Sequence, residues 1–476
     1  NKDKNKFYKI ISSNYFQYLF FKKNLKNDKI EIIYNKKKAE ILKFYAKVVF
    51  RIFYIIIFSF FELFNRSKER IKKLKKLKNI VLVDTAFIES MFVNDEFKDR
   101  FYGNLLDFSN NKNKIVFSPV NLMFEKISKS IRIIEKKKID TLFRFDVLNL
   151  RDYLYALKFV IFYNKPKNIY KYNSIDISHL IHHDYINGIA NFNFFYGVLN
   201  FLFFKKLKNY NLNIKSIIHW CENQPADKGF IFGAKTFFKD ISLKSYIGYF
   251  SNYNARFYMQ PTYDEYKSNF FPEKVYIQNA SLSKGLKKFC NKLKISVAPN
   301  LRFQHIFKKY KRKYKKKNII NVLILLPILK TEGAKILNQI IKIKDLKEMR
   351  MYNFLIKFHP NYTKPFIQRY ASLSNKKFKI VYNNFYKIIK KSDIVISNQG
   401  STCVESISSG VPVICVANSH NLINNPLHGL VSKKLYLDSF NSTDLKAKLL
   451  KMTKIKENNL MHEFSKSIKK LKKDTG

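Results

Sequence analysis

The feature that most constrains this chain is an alternation of short apolar runs with longer helical stretches, and it occurs twice. The first series contains apolar runs typical of buried strands at 79–84, 114–120, 216–223, 245–250, 274–279 and 294–299. The second series has such runs at 321–327, 353–360, 393–400 and 411–417. Strands that alternate with helices predict a parallel sheet covered on both faces. The two series therefore predict two α/β domains.

A basic run separates the two series. Residues 308–318 read KKYKRKYKKKN, a polar segment typical of a linker. On this basis we divide the chain into an N-terminal extension (1–78), a first Rossmann-like domain (79–315), a second Rossmann-like domain (319–441) and a basic C-terminal helix (442–476).

The positive charge of the chain needs its own explanation. The 90 Lys and Arg residues outnumber 35 Asp and Glu residues, which gives a net charge of +55. Such a charge often indicates a nucleic-acid or anionic-membrane partner. Here Lys, Asn, Ile, Phe and Tyr are enriched together along the whole chain, as in proteins from AT-rich genomes. We therefore expect no nucleic-acid partner, whereas an anionic lipid surface or an anionic substrate stays compatible with the charge.

The sequence offers no pattern of metal ligands. No C-x-x-C pair occurs among the cysteines, which are Cys221, Cys290, Cys403 and Cys415. We expect them to be buried free thiols in a reducing cytosol. A second group consists of His182, His183 and Asp184, but no third ligand follows at a suitable spacing. We expect a surface loop there and no metal site.

Residues 48–64, VVFRIFYIIIFSFFELF, form the most apolar segment of the extension. The segment is shorter than the roughly 20 residues that a membrane-spanning helix needs, and it carries Arg51 and Glu62. Basic runs flank it at 36–38 and 66–78. A helix in the membrane interface, a buried core helix and a single span are all compatible with this pattern.

The apolar run that begins at 393 leads into a polar loop and then a helix. Ligands of open α/β sheets bind at the carboxyl ends of strands, and the loop at this end is formed by Asn398, Gln399, Gly400, Ser401 and Thr402. The glycine allows a ligand to approach the backbone closely. The helix N-terminus presents N–H groups and partial positive charge, which suit a phosphate. We therefore predict phosphate binding by this loop.

The same loop also has a purely structural interpretation. Thr402 followed by Glu405 three residues later is the signature of a capping box. Capping and phosphate binding are compatible. Glu405 is accordingly either a cap or a ligand of a donor sugar or ribose hydroxyl.

A second polar signal, KFHPN, occupies 357–361. His359 lies where the preceding strand should end, and Pro360, which has no N–H, helps to end that strand. A histidine there can donate to a phosphate oxygen, and a bound anion would raise its proton affinity. Glu332 opens the first helix of the second domain, where it either contacts a donor or stabilises the helix dipole.

The two motifs, in this order, resemble those of bacterial sialyltransferase-like and capsule Kdo-transferase-like enzymes of the GT-B fold. The matching positions are His359 with Pro360, and Ser401 with Thr402, within roughly 321–416. The resemblance implies that these residues hold the phosphate of a CMP-activated ulosonic acid such as Kdo or a sialic acid. It also implies two Rossmann-like domains that face a central cleft, here with an N-terminal helical extension, and a reaction without a metal.

The third signal is HWCENQPADKGFIFGAK at 219–235, which contains the single Trp of the chain. This block resembles the W-x-E-N-x-x-x-K-G stretch of surface-carbohydrate biosynthesis proteins, with Glu222, Asn223 and Lys228 in matching positions. A GT-B fold would turn Glu222 toward the cleft, where glycosyl transfer needs a carboxylate as general base or nucleophile. Asp227 is the second catalytic candidate. The structural alternative is an ion pair between Glu222 and Lys228.

A later stretch, 247–266, resembles the same proteins. The matching positions are Tyr249, Pro261, Thr262 and Glu265, and the resemblance implies that they line the cleft and shape the substrate site. Residues 97–108 resemble the acceptor side of these proteins. Arg100 within that stretch either meets an acidic acceptor or, as we expect, lies on a solvated face.

These patterns together predict a glycosyltransferase of surface-polysaccharide biosynthesis, for capsule, O-antigen or lipopolysaccharide. The second domain would bind the nucleotide sugar, and the first a glycan or lipid-linked acceptor. We expect no cofactor and no metal, and a cytoplasmic protein docked on the inner face of the cytoplasmic membrane. The alternatives are a UDP-sugar or CDP-glycerol donor, and a non-catalytic scaffold that binds membrane or nucleic acid.

Overall fold

The architecture is that of a computed structural model of the 476-residue chain. It describes residues 8–12, 15–25, 30–34, 39–88, 91–93, 96–97, 99–103, 105–109, 113–123, 127–163, 165, 169–250, 260–303, 318–359, 362, 364–371, 378–382, 384–454 and 457–474. The predicted linker at 308–318 and Pro360 lie outside this part, apart from Asn318.

The N-terminal extension is mainly helical. Its elements are β1 (Tyr8–Ser12), α1 (Tyr15–Asn24), β2 (Ile30–Tyr34), α2 (Ala39–Phe64) and α3 (Lys68–Lys75), and β1 pairs with β2 in parallel. Among the described helices, no single one is long and apolar enough to cross a membrane. One pair of helical segments meets this criterion when the two are taken together, by length and composition only. The pair consists of Tyr45–Phe64 and Lys68–Lys75, which are bent by 57° relative to each other.

The next part of the chain builds the first six-stranded sheet. Its elements are β3 (Ile80–Ile88), β4 (Phe92–Val93), β5 (Glu96–Phe97), β6 (Lys114–Met123), α4 (Ile127–Lys136), α5 (Arg144–Val147), α6 (Leu150–Phe162), β7 (Lys171–Tyr172), β8 (Ile175–Asp176), α7 (Ser178–Gly188), α8 (Phe192–Leu207), β9 (Ile214–Trp220), α9 (Pro225–Phe237), β10 (Ser242–Ile247), α10 (Tyr263–Lys267), β11 (Lys274–Ile277), α11 (Ser283–Leu286) and β12 (Lys294–Val297). The strand order is β12-β11-β10-β9-β3-β6. The pairs β3/β6, β10/β11 and β11/β12 are parallel.

Two glycines set the close packing of α8 on α9. A Cβ atom on Gly229 would lie 1.9 Å from the carbonyl oxygen of Gly197, so the two backbones meet where no side chain fits. Around this contact α8 buries phenylalanines on several sides, among them Phe195, Phe203 and Phe204. A helix that is apolar on every side belongs in a core, and α8 lies in one.

The second six-stranded sheet is wholly parallel. Its elements are β13 (Ile320–Leu325), α12 (Lys330–Ile343), β14 (Tyr352–Lys357), α13 (Lys364–Ala371), β15 (Phe378–Ile380), α14 (Phe385–Ile389), β16 (Ile394–Ser397), α15 (Ser401–Ser408), β17 (Val413–Val416), β18 (Tyr436–Ser439), α16 (Ser442–Thr453) and α17 (Glu457–Asp474). The strand order is β15-β14-β13-β16-β17-β18, and all five neighbouring pairs are parallel. The order therefore reverses between β13 and β16, the position where doubly wound sheets bind ligands.

The central strand β13 shows why this sheet forms. Val322 and Ile324 join the apolar cluster on one face, whereas Leu323 and Leu325 join the cluster on the other. A strand buried on both faces reads as a continuous apolar run, which is the pattern that the sequence has here.

The chain separates into two compact units. One consists of Asn1–Phe97, Ser109–Ile217 and Gln224–Leu243, and the other of Lys98–Phe108, Ile218–Asn223 and Lys244–Gly476. The predicted fold class, GT-B with two Rossmann-like α/β domains, is confirmed. The four-part division at 78, 315 and 441, and the cleft between the domains, stay predictions.

Two local predictions are wrong. The segment with His182, His183 and Asp184 is helix α7 instead of a loop, and Nε2 of His183 lies 2.9 Å from Nδ2 of Asn187, one turn further along. The segment predicted as one basic C-terminal helix forms two, α16 and α17. In both places the sequence lacks a strong stop signal, so helix boundaries depend on tertiary contacts.

Candidate active site

The loop after β16 leads into the N-terminus of α15 without a capping side chain. Gly400 is the N-cap, with φ of +114° and ψ of 169°, a conformation that side chains rarely adopt. Among the described residues, nothing lies within 4 Å of the Cβ position at Gly400, so there the backbone conformation is what requires the glycine. Ser401 and Thr402 form the first turn. The predicted capping box of Thr402 and Glu405 is therefore not formed, and this helix end offers its N–H groups to a ligand.

Glu405 instead accepts a hydrogen bond from the hydroxyl of Tyr386. Burial, followed by the adjacent Glu405 carboxylate, raises the pKa of Tyr386. Tyr386 thus stays protonated and holds the carboxylate as a donor. Gln399 is similarly engaged, because its side-chain oxygen accepts from Nδ2 of Asn424.

Glu332, on α12, ties the loop after β16 to the loop after β17. Its carboxylate accepts from the backbone N–H of Ser419 at 2.9 Å, from the Ser419 hydroxyl at 2.6 Å and from Nδ2 of Asn398 at 3.3 Å. Asn398 is itself buried. This network fixes the wall of the predicted donor site, and direct donor contact by Glu332 stays a prediction.

His359 lies two residues beyond β14 and is half-buried. The turn around it is fixed by Tyr362, whose N–H donates to the carbonyl oxygen of His359 at 3.0 Å and whose hydroxyl donates to that of Leu329 at 3.2 Å. A Cβ at Gly333 would collide with this hydroxyl, so the glycine is needed for the packing of Tyr362 on α12. Burial, and then repulsion from Arg100, lowers the pKa of His359.

Trp220 orients Glu222. The indole Nε1 donates to Oε1 of Glu222 at 2.9 Å, just beyond the end of β9. Around the indole, the rings of Phe101 and Tyr102 pack edge-to-face with centroids at 4.9 and 5.7 Å. Gly248 makes room for it, because a Cβ there would lie 2.4 Å from the indole ring. In the motif at 219–235, the Glu222 carboxylate is thus held by the Trp220 indole. We call the rings around this indole the aromatic cage.

Arg302 completes this group, although its sequence context does not predict it. Its guanidinium carbon lies 5.5, 5.7 and 5.1 Å from the ring centroids of Phe101, Trp220 and Phe303. Burial lowers its pKa, and the carboxylates of Glu405 and Glu222 oppose that shift. Only its position after β12, at the carboxyl edge of a sheet, could have marked it, because the surrounding sequence has no recognisable motif.

The segment that carries Arg100 is built around a buried carboxylate. Oδ1 of Asp99 accepts from the N–H groups of Phe101 and Tyr102 at 2.6 and 3.1 Å, which places both rings beside Trp220. Burial raises the pKa of Asp99 to about 6. Arg100 itself is exposed, as expected, but it lies close enough to His359 and Arg302 to influence both.

Buried amides follow three strands of the first sheet. Asn223 follows β9, Gln278 and Asn279 follow β11, and Asn300 follows β12, and each is at most 7% exposed. Their side-chain nitrogen atoms find no hydrogen-bond partner within the described part of the chain. Buried amides are normally satisfied, so such a group favours water or a ligand hydroxyl as its partner.

Several predicted site residues have structural contacts. Asp227 accepts from the N–H of Gln224 at 2.8 Å and so closes the start of α9, where Lys228 also lies in the first turn. Thr262 and Glu265 form a reciprocal capping box on α10. Tyr249 is buried. These contacts explain the residues as parts of the scaffold, and their roles in a site stay predictions.

The cysteines are buried free thiols, as predicted. Cys403 of α15 and Cys415 of β17 face each other with sulfur atoms 3.9 Å apart. Within the described ranges, no group of three or more His, Cys, Asp or Glu residues is arranged to hold a metal ion.

Residues 331–475 match the glycosyltransferase family 28 C-terminal domain. The match starts at α12 and covers less than half of the chain. It confirms the predicted enzyme class. The chain is a glycosyltransferase of the GT-B fold class. The match does not support the finer expectation of a CMP-ulosonic acid transferase.

Solved structures with a similar fold are distant in sequence. They include the UDP co-structure of MnaA from S. aureus (TM-score 0.49, 9% identity, 82% of this chain and 91% of that one) and a glycotransferase of kitacinnamycin (0.49, 8%, 84% and 96%). Another is the N-terminal domain of trehalose-6-phosphate phosphatase from Candida albicans (0.48, 12%, 84% and 94%). What those proteins bind is known of those proteins and is not transferred to this chain. Among curated proteins, none matches this sequence.

Proposed function

We propose that this protein transfers a sugar from a nucleotide donor to a glycan or lipid-linked acceptor in surface-polysaccharide biosynthesis. The observation that carries the proposal is the uncapped N-terminus of α15, which starts at Gly400 beside the strand-order reversal of β13 and β16. This helix lies within the stretch that matches the family 28 domain. Both features favour binding of the donor phosphates at this edge.

The donor that we propose is a UDP-sugar instead of a CMP-ulosonic acid. The resemblance that suggested CMP rests on His359 and on Ser401 with Thr402, which suit any nucleotide phosphate. The family 28 match of the same region is the broader similarity, and it favours the UDP-sugar alternative. A diphosphate also suits the positive charge of Arg100, which lies close enough to His359 and to Arg302 to influence both.

In the proposed reaction, Glu222 acts as general base. Its carboxylate accepts the proton of an acceptor hydroxyl as that oxygen bonds to the anomeric carbon, and the bond from this carbon to the donor phosphate breaks. The negative charge that builds up on the leaving phosphate is offset by the α15 N-terminus and His359. We propose no metal for this step, because the N-terminus of α15 and the nearby cationic side chains offset the negative charge on the leaving phosphate.

The acceptor would meet the side chains of the first sheet. The amide nitrogens of Asn223, Gln278, Asn279 and Asn300, which find no partner among the described residues, are donors that sugar hydroxyls can satisfy. Such donors discriminate strongly, because an acceptor without the matching hydroxyl leaves a buried amide unpaired. We therefore expect narrow acceptor specificity.

The test is thermal stabilisation of the purified protein by UDP, CDP, CMP and GDP. A ligand at about 100 times its dissociation constant adds roughly 2.7 kcal/mol to the stability of the folded state. We expect UDP to stabilise most, and expect Ser401→Ala/Thr402→Ala to reduce the effect. Stabilisation by CMP alone would restore the ulosonic-acid donor, and stabilisation by CDP would favour CDP-glycerol. If none stabilises, the proposed donor site is wrong.

A further inference from the structure

Helix α2 turns an apolar face outward. Phe50, Phe53, Ile57, Phe61 and Phe64 recur every three or four residues and are each more than half exposed. This spacing places them on one side of the helix. A surface helix in water has the opposite arrangement, with its polar side chains outside.

The two charges within the apolar segment point into the protein. Nη1 of Arg51 donates to the carbonyl oxygens of Asn187 and Ile189 at 2.9 and 3.1 Å, at the end of α7. Glu62 is 2% exposed and pairs with Arg144, also buried, at 2.6 Å. Neither charge thus reaches the outer face. The arrangement is a helix packed on a protein core on one side and suited to an apolar medium on the other.

Helix α6, which contacts α2 through a 2.8 Å hydrogen bond from Tyr153 to Glu62, repeats the arrangement. Its acid, Asp152, is buried and pairs with Lys206 at 2.7 Å. Its exposed positions carry only apolar, aromatic and basic side chains: Leu150, Arg151, Leu154, Tyr155, Lys158, Phe159 and Phe162. Aromatic rings mixed with lysine and arginine are typical of the membrane interface.

Basic residues continue beyond α2. Helix α3 exposes Lys68, Lys72, Lys73 and Lys75. An apolar helix flanked by exposed lysines is attracted to a surface that is apolar below and negatively charged above. A second copy of this chain, which carries the same net charge of +55, would be repelled instead.

We propose that the outer faces of α2 and α6 form a docking surface for an anionic lipid bilayer, with α2 lying in the plane of the interface. The lysines of α3 contact lipid phosphates, and the phenylalanines of α2 enter the acyl region. This inference is independent of the donor nucleotide. It assigns the membrane contact to two helices, of which α6 is not apparent from the sequence.

The test is flotation of the full chain with vesicles of phosphatidylcholine and phosphatidylglycerol in a two-to-one ratio. We expect Phe50→Ser/Phe53→Ser/Phe61→Ser to weaken vesicle binding by about tenfold for each phenylalanine. Leu154→Ser/Phe159→Ser on α6 should also weaken it. Lys72→Glu/Lys75→Glu should weaken it by several-fold per charge, an effect that high salt also produces in the wild type.

The matched control is Tyr382→Ser/Phe440→Ser/Met461→Ser, which removes three exposed apolar side chains outside both helices. It should bind vesicles like the wild type. All variants should keep their unfolding temperature and UDP stabilisation, so that loss of vesicle binding is separable from misfolding and from failure of the proposed function. The proposal is overturned if the wild type does not float, or if the α2 variant floats equally well. Self-association that the α2 variant abolishes, without vesicle binding, would identify a second copy as the partner instead.

Discussion

The carboxyl edges of the two six-stranded sheets present different chemistry. The second sheet offers backbone N–H groups, at the glycine N-cap Gly400 and the open first turn of α15, beside the side chains of His359, Ser401 and Thr402. The first sheet offers side chains, with Glu222 held by Trp220 and buried amides after β9, β11 and β12. Backbone N–H groups suit phosphates of any nucleotide sugar, whereas placed side chains suit one pattern of hydroxyls. Under the proposed function, affinity for the donor therefore lies at the second edge, and catalysis and acceptor choice lie at the first.

The sharpest way to break this division is Glu222→Gln. The variant keeps the hydrogen bond from Trp220 but loses the base, so we expect sugar transfer to fall by about 10²–10⁴-fold. UDP should stabilise it as well as the wild type, because the phosphate contacts are unchanged. Asp227→Asn is the matched carboxylate control, and we expect its transfer rate to fall far less. Equal losses in both variants would assign the base role elsewhere.

Gly400→Ala tests the backbone edge. The new side chain meets no described residue, but φ of +114° strains any residue other than glycine by about 1–3 kcal/mol. The loop would therefore relax away from its binding conformation. We expect nucleotide affinity to fall by about 10–100-fold, measured by calorimetry. Gly429→Ala is the control, since Gly429 also has positive φ and open space around it. The idea fails if both variants bind nucleotide equally.

The sequence was more informative about the second edge than about the first. The apolar runs at β13 and β16, and the glycine between strand and helix, predict the site because backbone chemistry follows from strand ends and Gly400. The capping box of Thr402 and Glu405 is not formed, because Gly400 is the N-cap of α15 and the Tyr386 hydroxyl binds the Glu405 carboxylate. That contact joins two consecutive helices, α14 and α15, and depends on how they pack on the sheet. The sequence predicts Asn223 through its motif, but it does not predict Arg302, Gln278, Asn279 or Asn300, because only the strand order brings these residues to one edge.

Arg302→Lys tests whether the packing of Arg302 in the aromatic cage contributes to the rate of sugar transfer. Lysine keeps the charge but loses the planar group that packs among Phe101, Trp220 and Phe303. We expect kcat/KM to fall by about tenfold, or roughly 1.4 kcal/mol of transition-state stabilisation. Arg350→Lys, an exposed position, is the control. An unchanged kcat/KM would show that the cage serves the fold only.

The smallest effect that we expect concerns His359 and pH. Burial and Arg100 lower its pKa below the usual 6.5, so it is neutral at pH 7 in the free protein. A bound diphosphate favours the charged form, so binding takes up a proton and strengthens by a few-fold as pH falls from 7.5 toward 6. The measurement should use a UDP-sugar as the ligand, because its diphosphate does not titrate between pH 7.5 and 6.

The lowered pKa of His359 has the opposite effect on the stability of the unliganded protein, which decreases as the pH falls. Because the unfolded chain binds a proton at His359 more readily, wild-type stability falls as pH drops through 6.5 toward the lowered pKa, and it is regained above that range. His359→Gln should remove both slopes, whereas His462→Gln, on the exposed part of α17, should keep them. Donor titrations and chemical unfolding at pH 7.5, 6.5 and 6 measure the two slopes separately. If His359→Gln keeps the binding slope, another group at the backbone edge takes up the proton, and the histidine serves only to end β14.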